Sequence, residues 1–269
     1  MILMNKSRLS LSILEYEPCL DQSIESIRAI LAYGVDWIHV DIMRKPFIAS
    51  RTAFSEEQIA KIYEELKDEV DFDFHLMVSE PDSLIKTISI IVPEDKRDKT
   101  NITIHRESYR YDAKHYTSKD YDLLTVKTGN DLFDKHLREV NRKSGEEVLE
   151  KIEEIKSLGF RTGIALEPGT CLENISEEML STLDMILLMG VRSGEGGQHY
   201  MHKVTDKIKE ANQRYKPLMI QVDGGVNEEN LQEVLDAGAN NVVIGSYITR
   251  AKDFSVPMNF INGHLKDLE

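Results

Sequence analysis

Along the chain, apolar residues gather into eight short runs rich in Ile, Val and Leu, and between the runs they return every three or four positions. The runs are Leu9 to Leu14, Trp37 to Met43, Phe72 to Val78, Ile102 to His105, Thr162 to Glu167, Met185 to Val191, Met219 to Val226 and Asn241 to Ile248. Runs this short and continuous suit strands covered on both faces, and the intervening periodicity suits helices packed over them. Eight runs, nearly all followed by a helix, favour closure of the sheet over an open doubly wound arrangement. The expected fold class is therefore α/β: a single (β/α)8 TIM barrel, one domain over residues 1–269.

Several helix boundaries are written locally. Ser55 and Gln58 form a capping-box pair opening a helix through Ile59, Ile62, Tyr63 and Leu66. Val148, Ile152, Ile155 and Leu158 make one apolar stripe that Gly159 should terminate, and Asn227 is placed to cap a helix bearing Leu231, Val234 and Leu235 before Gly238. From Ser108 to Ser144 the rhythm breaks into a polar, tyrosine-bearing insertion between the fourth strand and its helix. It reads either as a lid or subunit contact on the active face, or as a surface excursion with a short helix near Leu132 to Val140.

A length of 269 residues matches the roughly 250 that one such barrel needs. With 41% hydrophobic and 30% charged residues the chain can bury a large core, and a soluble, cytoplasmic protein is expected. The net charge of −14 argues against partners such as nucleic acid or anionic membrane, and any phosphate site must be built locally from backbone donors. Cys19 and Cys171 are expected to be free thiols.

The chemistry sits at the ends of the runs. His39 and Asp41 are two apart and so share a strand face, which Met43 continues; His75 and Met77 repeat that spacing. Asp223 ends a later run, just before Gly224 and Gly225. Neighbouring parallel strands would gather His39, Asp41, His75 and Asp223 around one point, a nitrogen and oxygen set suited to a divalent transition metal. Glycines after the later strands, including Gly194, Gly196, Gly197, Gly224, Gly225 and Gly245, with Ser246 beside the last, fit the phosphate site of such barrels.

Ser12-Ile13-Leu14, His39-Val40-Asp41-Ile42-Met43, His75-Leu76-Met77-Val78, Thr103-Ile104-His105-Arg106-Glu107, Leu187-Leu188-Met189, Gly196-Gly197-Gln198, Val222-Asp223-Gly224-Gly225-Val226 and Gly245-Ser246 occur in the order seen in one family. Through them the chain, from about Ser10 to Ile248, resembles the ribulose-phosphate 3-epimerases. The resemblance implies one divalent ion, zinc first and iron, manganese or cobalt otherwise, held by His39, Asp41, His75 and Asp223. It implies that Asp41 and Asp223 are the catalytic acid/base pair, inverting C3 of a ketose phosphate through a cis-enediolate, with D-ribulose 5-phosphate giving D-xylulose 5-phosphate as the first expectation. Met43, Met77 and Met189 would line the pocket, Ser12 would meet the sugar, and Gly194, Gly196, Gly197, Gly224, Gly225, Gly245 and Ser246 would surround the phosphate. A homo-oligomer is also implied.

Three loops depart from the family pattern. Arg44-Lys45-Pro46-Phe47-Ile48-Ala49-Ser50 replaces Asp-Gly-x-Phe-Val-Pro-Asn, Glu167-Pro168-Gly169-Thr170 replaces Asn-Pro-x-Thr, and Arg192-Ser193-Gly194-Glu195-Gly196-Gly197 replaces Asn-Pro-Gly-Phe-Gly-Gly. Arg44, Arg192, Glu167 and Glu195 would form a charge network across the mouth, or else contact a different substrate, such as a hexulose or tetrulose phosphate. The decarboxylases and aldolases of this barrel use Asp-x-Lys-x-x-Asp, but Met43 stands at the lysine position. A noncatalytic sugar-phosphate binder would have no use for a matched acid and base.

Overall fold

In the computed structural model, which describes residues 7–109, 131–194 and 196–265 (for 131–141 the backbone alone), eight parallel strands close in sequence order. They are β1 (Arg8–Ser12), β2 (Trp37–Met43), β3 (Asp71–Met77), β4 (Thr100–His105), β5 (Arg161–Leu166), β6 (Met185–Met189), β7 (Met219–Asp223) and β8 (Asn241–Ile244). Each falls on one of the eight runs, and β1 pairs with β8 to complete a TIM barrel.

The alternation along each strand sorts two interiors. Leu9, Leu11, Ile38, Val40, Ile42, Phe72, Phe74, Leu76, Ile102 and Ile104 are buried in the main apolar core with residues of the helices. Their neighbours of opposite parity include Ser10, His39, Asp41, Asp73, His75, Asn101, Thr103, His105, Gln221 and Asn241, all buried polar groups. A barrel filled by such residues must satisfy each of them by hydrogen bonds, because an unpaired buried polar group is costly. That requirement links Asp73 to His39, Asn101 and Gln221, while Ala165, Leu187 and Met189 form a small apolar cluster of their own.

The helices are α1 (Leu20–Leu31), α2 (Glu56–Leu66), α3 (Asp82–Ile91), α4 (Asp131–Ser157), α5 (Glu177–Thr182), α6 (Lys203–Arg214), α7 (Leu231–Asp236), α8 (Ser246–Thr249) and α9 (Ser255–His264). Ser55 and Gln58 form the expected capping box on α2, which buries Ile59, Ile62, Tyr63 and Leu66. Gly159 follows α4 at φ +92°, the left-handed geometry that ends a helix.

Two expectations need correction. The short helix near Leu132 to Val140 is the first part of the 27-residue α4, continuous with the stripe of Val148, Ile152 and Ile155. The rest of the proposed insertion, 110–130, lies outside the described residues. Asn227 does not cap α7: its side chain closes a turn onto the Glu229 N–H, and Asn230 occupies the capping position. Cys19 and Cys171 are both free and exposed. Among the described residues no helix is long and apolar enough to cross a membrane.

Candidate functional site

At the C-terminal ends of the strands lies a cavity of about 280 Å³. Its lining includes every residue that the sequence assigned to substrate, namely Ser12, Met43, Met77, Met189, Gly194, Gly196, Gly197, Gly224, Gly225, Gly245 and Ser246, together with Asp41 and Asp223. His39 and His75 lie beneath it, fully buried. Strand register explains the convergence. Asp41 stands beside His75, Met43 beside Met77, Ser12 beside His39 and Met189 beside Asp223, so residues distant in sequence become lateral neighbours.

His39, Asp41, His75 and Asp223 each turn one ligating atom into a space where all four lie within 4.8 Å of one another. Asp41 Oδ1 is 3.2 Å from His39 Nε2 and 3.1 Å from His75 Nδ1. Asp223 Oδ2 is 3.8 Å and 3.7 Å from the same two nitrogens. Two imidazoles and two carboxylates form a mixed donor set that suits zinc and its neighbours. The far side of each imidazole is also held: Asp73 Oδ2 lies 2.8 Å from His39 Nδ1, and His105 Nε2 lies 2.8 Å from His75 Nε2. Such backing partners fix ring orientation in metal sites. The residues present therefore fit a divalent cation.

Asp73 is fully buried and accepts from Asn101 Nδ2 at 2.7 Å and Gln221 Nε2 at 2.8 Å in addition to His39. Burial raises its pKa, but the adjacent His39 and these hydrogen bonds outweigh burial and hold it below the usual carboxylate value. Asp41 follows the same balance: burial pushes it up, and the charge and hydrogen bonds of His39 and His75 carry it well down. Ser12 Oγ donates to Asp41 Oδ2 at 2.7 Å. Asp223 goes the other way, pushed up to about 7 by burial and then by the negative charge of Asp41. Burial also lowers His75. A carboxylate crowded toward another carboxylate is the arrangement that a cation between them relieves.

The glycines after β7 are required by shape. Gly225 has φ +75°, and a Cβ there would stand 2.5 Å from the Tyr200 backbone nitrogen. The β6 and β7 loops can thus lie directly against each other. Gly190 N–H donates to the Asp223 carbonyl at 2.6 Å and Met201 N–H to the Gly190 carbonyl at 2.8 Å, anchoring the segment that carries Asp223.

The charge network expected across the mouth does not form around Arg44 and Glu167. Arg44 donates to the carbonyls of Met43, Ala53 and Phe54, holding its own loop. Glu167 is buried, with Oε1 3.8 Å from His105 Nδ1 and Oε2 accepting from the Ser193 N–H at 3.4 Å. Neither side chain is among the residues that line the cavity; Arg192 does line it, and Glu195 lies outside the described residues. Sequence reasoning missed Asp73 as the partner of His39 and His105 as the partner of His75. Both share the strand-face parity of the predicted ligands, and an Asp between Phe72 and Phe74 was the available signal.

Comparison with known proteins agrees with this geometry. The sequence pattern of the Ribulose-phosphate 3 epimerase family matches residues 8–120 and 127–249. The chain is 30% identical over 235 residues to the ribulose-phosphate 3-epimerase of Bacillus subtilis, covering 86% of this chain and 87% of that protein. It is 29% identical over 239 residues to that of Schizosaccharomyces pombe, covering 89% and 85%. Among solved structures, 3-keto-L-gulonate-6-phosphate decarboxylase from Vibrio cholerae superposes with a TM-score of 0.57 at 9% identity, covering 97% of each chain, a likeness of fold alone. By the extent of these matches, the chain belongs to the ribulose-phosphate 3-epimerase family, as a divergent member.

Proposed function

We propose that the protein is a divalent-metal-dependent 3-epimerase of a phosphorylated ketose, with D-ribulose 5-phosphate and D-xylulose 5-phosphate as the first pair to test. The observation that carries this reading is the convergence of His39, Asp41, His75 and Asp223 within 4.8 Å beside a cavity that Asp41 and Asp223 both line. His39, Asp41, His75 and Asp223 would hold the cation, which would supply Lewis-acid polarisation to the ketose.

The rest is done by the chain's own groups. One aspartate removes the C3 proton and the other delivers a proton to the opposite face of the planar enediolate, so that C3 is inverted with no net change in protons on the sugar. The imidazoles of His39 and His75 hold Asp41 down while burial and the charge of Asp41 push Asp223 up, an inequality that suits a pair exchanging a single working proton. The roles swap when the reaction runs backwards. Met43, Met77 and Met189, each almost fully buried, form a polarisable wall against the flat intermediate and keep water from it. Backbone N–H groups of Gly197, Gly225 and Gly245, with Ser246, offer the phosphate neutral donors, in keeping with the net charge of −14.

The test is a panel of phosphorylated tetruloses, pentuloses and hexuloses, incubated with protein reconstituted separately with zinc, iron(II), manganese or cobalt. Metal-dependent interconversion of the two pentulose 5-phosphates is expected. Epimerisation of a hexulose or tetrulose phosphate instead would move the substrate assignment while keeping the reaction. Failure with every member would overturn the proposal.

A further inference from the structure

The two histidines of the cluster are held from behind in different ways. His39 is backed directly by a carboxylate, with Asp73 Oδ2 2.8 Å from Nδ1. His75 is backed by another imidazole: its Nε2 lies 2.8 Å from His105 Nε2, the ring planes 17° apart with centroids 4.9 Å apart. Both rings are fully buried, and Phe47 covers His105 at a centroid distance of 4.9 Å. Water is excluded from this contact, so the hydrogen between the two nitrogens must come from one of the rings.

The direction of that hydrogen bond follows from which nitrogen of His75 faces the other ligands. The inward nitrogen is Nδ1, 3.1 Å from Asp41 Oδ1 and 3.7 Å from Asp223 Oδ2. A neutral imidazole that offers its Nδ1 lone pair keeps its one hydrogen on Nε2. His75 then donates to His105 Nε2, and His105 must carry its own hydrogen on Nδ1. That nitrogen faces two buried carboxylates, with Glu107 Oε2 at 3.4 Å and Glu167 Oε1 at 3.8 Å. Glu167 Oε1 has no hydrogen-bond partner among the described residues and meets this nitrogen as an ion-pair contact, whereas Glu107 Oε1 is occupied by the Thr170 hydroxyl and the Glu167 N–H. The two acids thus present acceptors where His105 needs them.

We propose that His105, steered by Glu107 and Glu167, is a positioning residue that selects the Nε2–H tautomer of His75 and so aims its Nδ1 lone pair into the cluster. The inference rests on the reading of His75 as a metal ligand given above. It gives His75 the same service that Asp73 gives His39, delivered through one extra ring because β4 contributes an imidazole where the carboxylates stand one step further out.

Zinc affinity measured by competition with a chromophoric chelator, independent of turnover, separates the possibilities. His105→Leu, which cannot accept from His75, should weaken zinc binding by about 10- to 100-fold. His105→Gln, whose amide oxygen can accept, should stay within a few-fold of wild type. Glu107→Gln and Glu167→Gln preserve shape and should each cost several-fold. In the zinc-loaded wild type, nitrogen-15 imidazole spectra should show hydrogen on His75 Nε2 and on His105 Nδ1. Hydrogen on His105 Nε2, or equal zinc affinity in the Leu and Gln variants, would overturn the proposal while leaving the cluster as a metal site. A wild-type protein that takes up no zinc would overturn the ligand reading and this inference together. Should His105→Leu fail to fold, the wild-type spectra together with Glu107→Gln and Glu167→Gln decide the matter.

Discussion

Asp41, near the C-terminal end of β2, and Asp223, at the end of β7, are the same side chain facing the same pair of imidazoles, yet their surroundings pull them apart. Asp41 has a side chain 5% exposed, lies within 3.2 Å of two imidazole nitrogens and accepts from Ser12. Asp223 is 13% exposed, stands 3.7 to 3.8 Å from those nitrogens, and is pushed up to about 7. Two like groups near one cation site cannot both ionise freely, so local donors decide which one does. The comparison teaches that one residue type is given two different proton affinities here by the donors around it.

The comparison breaks most sharply at the carboxylates themselves. Asp41→Asn and Asp223→Asn should each lower kcat by roughly 10³-fold or more, the usual scale for losing a positioned acid or base together with a ligand. Far-UV circular dichroism should remain native. A variant that keeps wild-type turnover would remove that aspartate from the mechanism.

A second expectation concerns stability without metal. Because Asp223 binds its proton more tightly when folded than when unfolded, its contribution is fullest below the ordinary carboxylate value of 3.8 and is lost as pH rises through about 7. The loss amounts to roughly 4 kcal/mol at most. In chelator-treated protein, Asp223→Asn should therefore gain in Tm relative to wild type between pH 4 and 8. A difference that stays flat across that range would deny Asp223 its crowded environment.

The smallest expected effect is that of Ser12→Ala. Removing the hydroxyl that donates to Asp41 should raise the pKa of that carboxylate and lower kcat/KM by about tenfold, the scale of one hydrogen bond to a charged group. Wild-type kcat/KM in Ser12→Ala would show that the hydroxyl does nothing for Asp41.

Much of this was legible in the sequence because two rules are local. Side chains two apart on a strand share a face, which tied His39 to Asp41 and His75 to Met77, and parallel strands need continuous apolar runs, which located all eight. What lies across strands was harder. That His39 sits beside Asp73, and that His75 reaches His105, depends on barrel register and on ring direction. Arg44 was misjudged because a guanidinium close to its own loop carbonyls satisfies those first, and Glu167 because its strand-end position turned it inward toward His105. The length of α4 was hidden because the apolar stripe marks only its later part.

The central claim, that Asp41 and Asp223 exchange the C3 proton across a planar intermediate, is tested most directly by running the metal-loaded enzyme in deuterium oxide and reading the ketose phosphate product by proton NMR. The account predicts that inverted product carries deuterium at C3, with this incorporation lost in the double variant Asp41→Asn/Asp223→Asn. Inversion with the original hydrogen retained at C3 would contradict it.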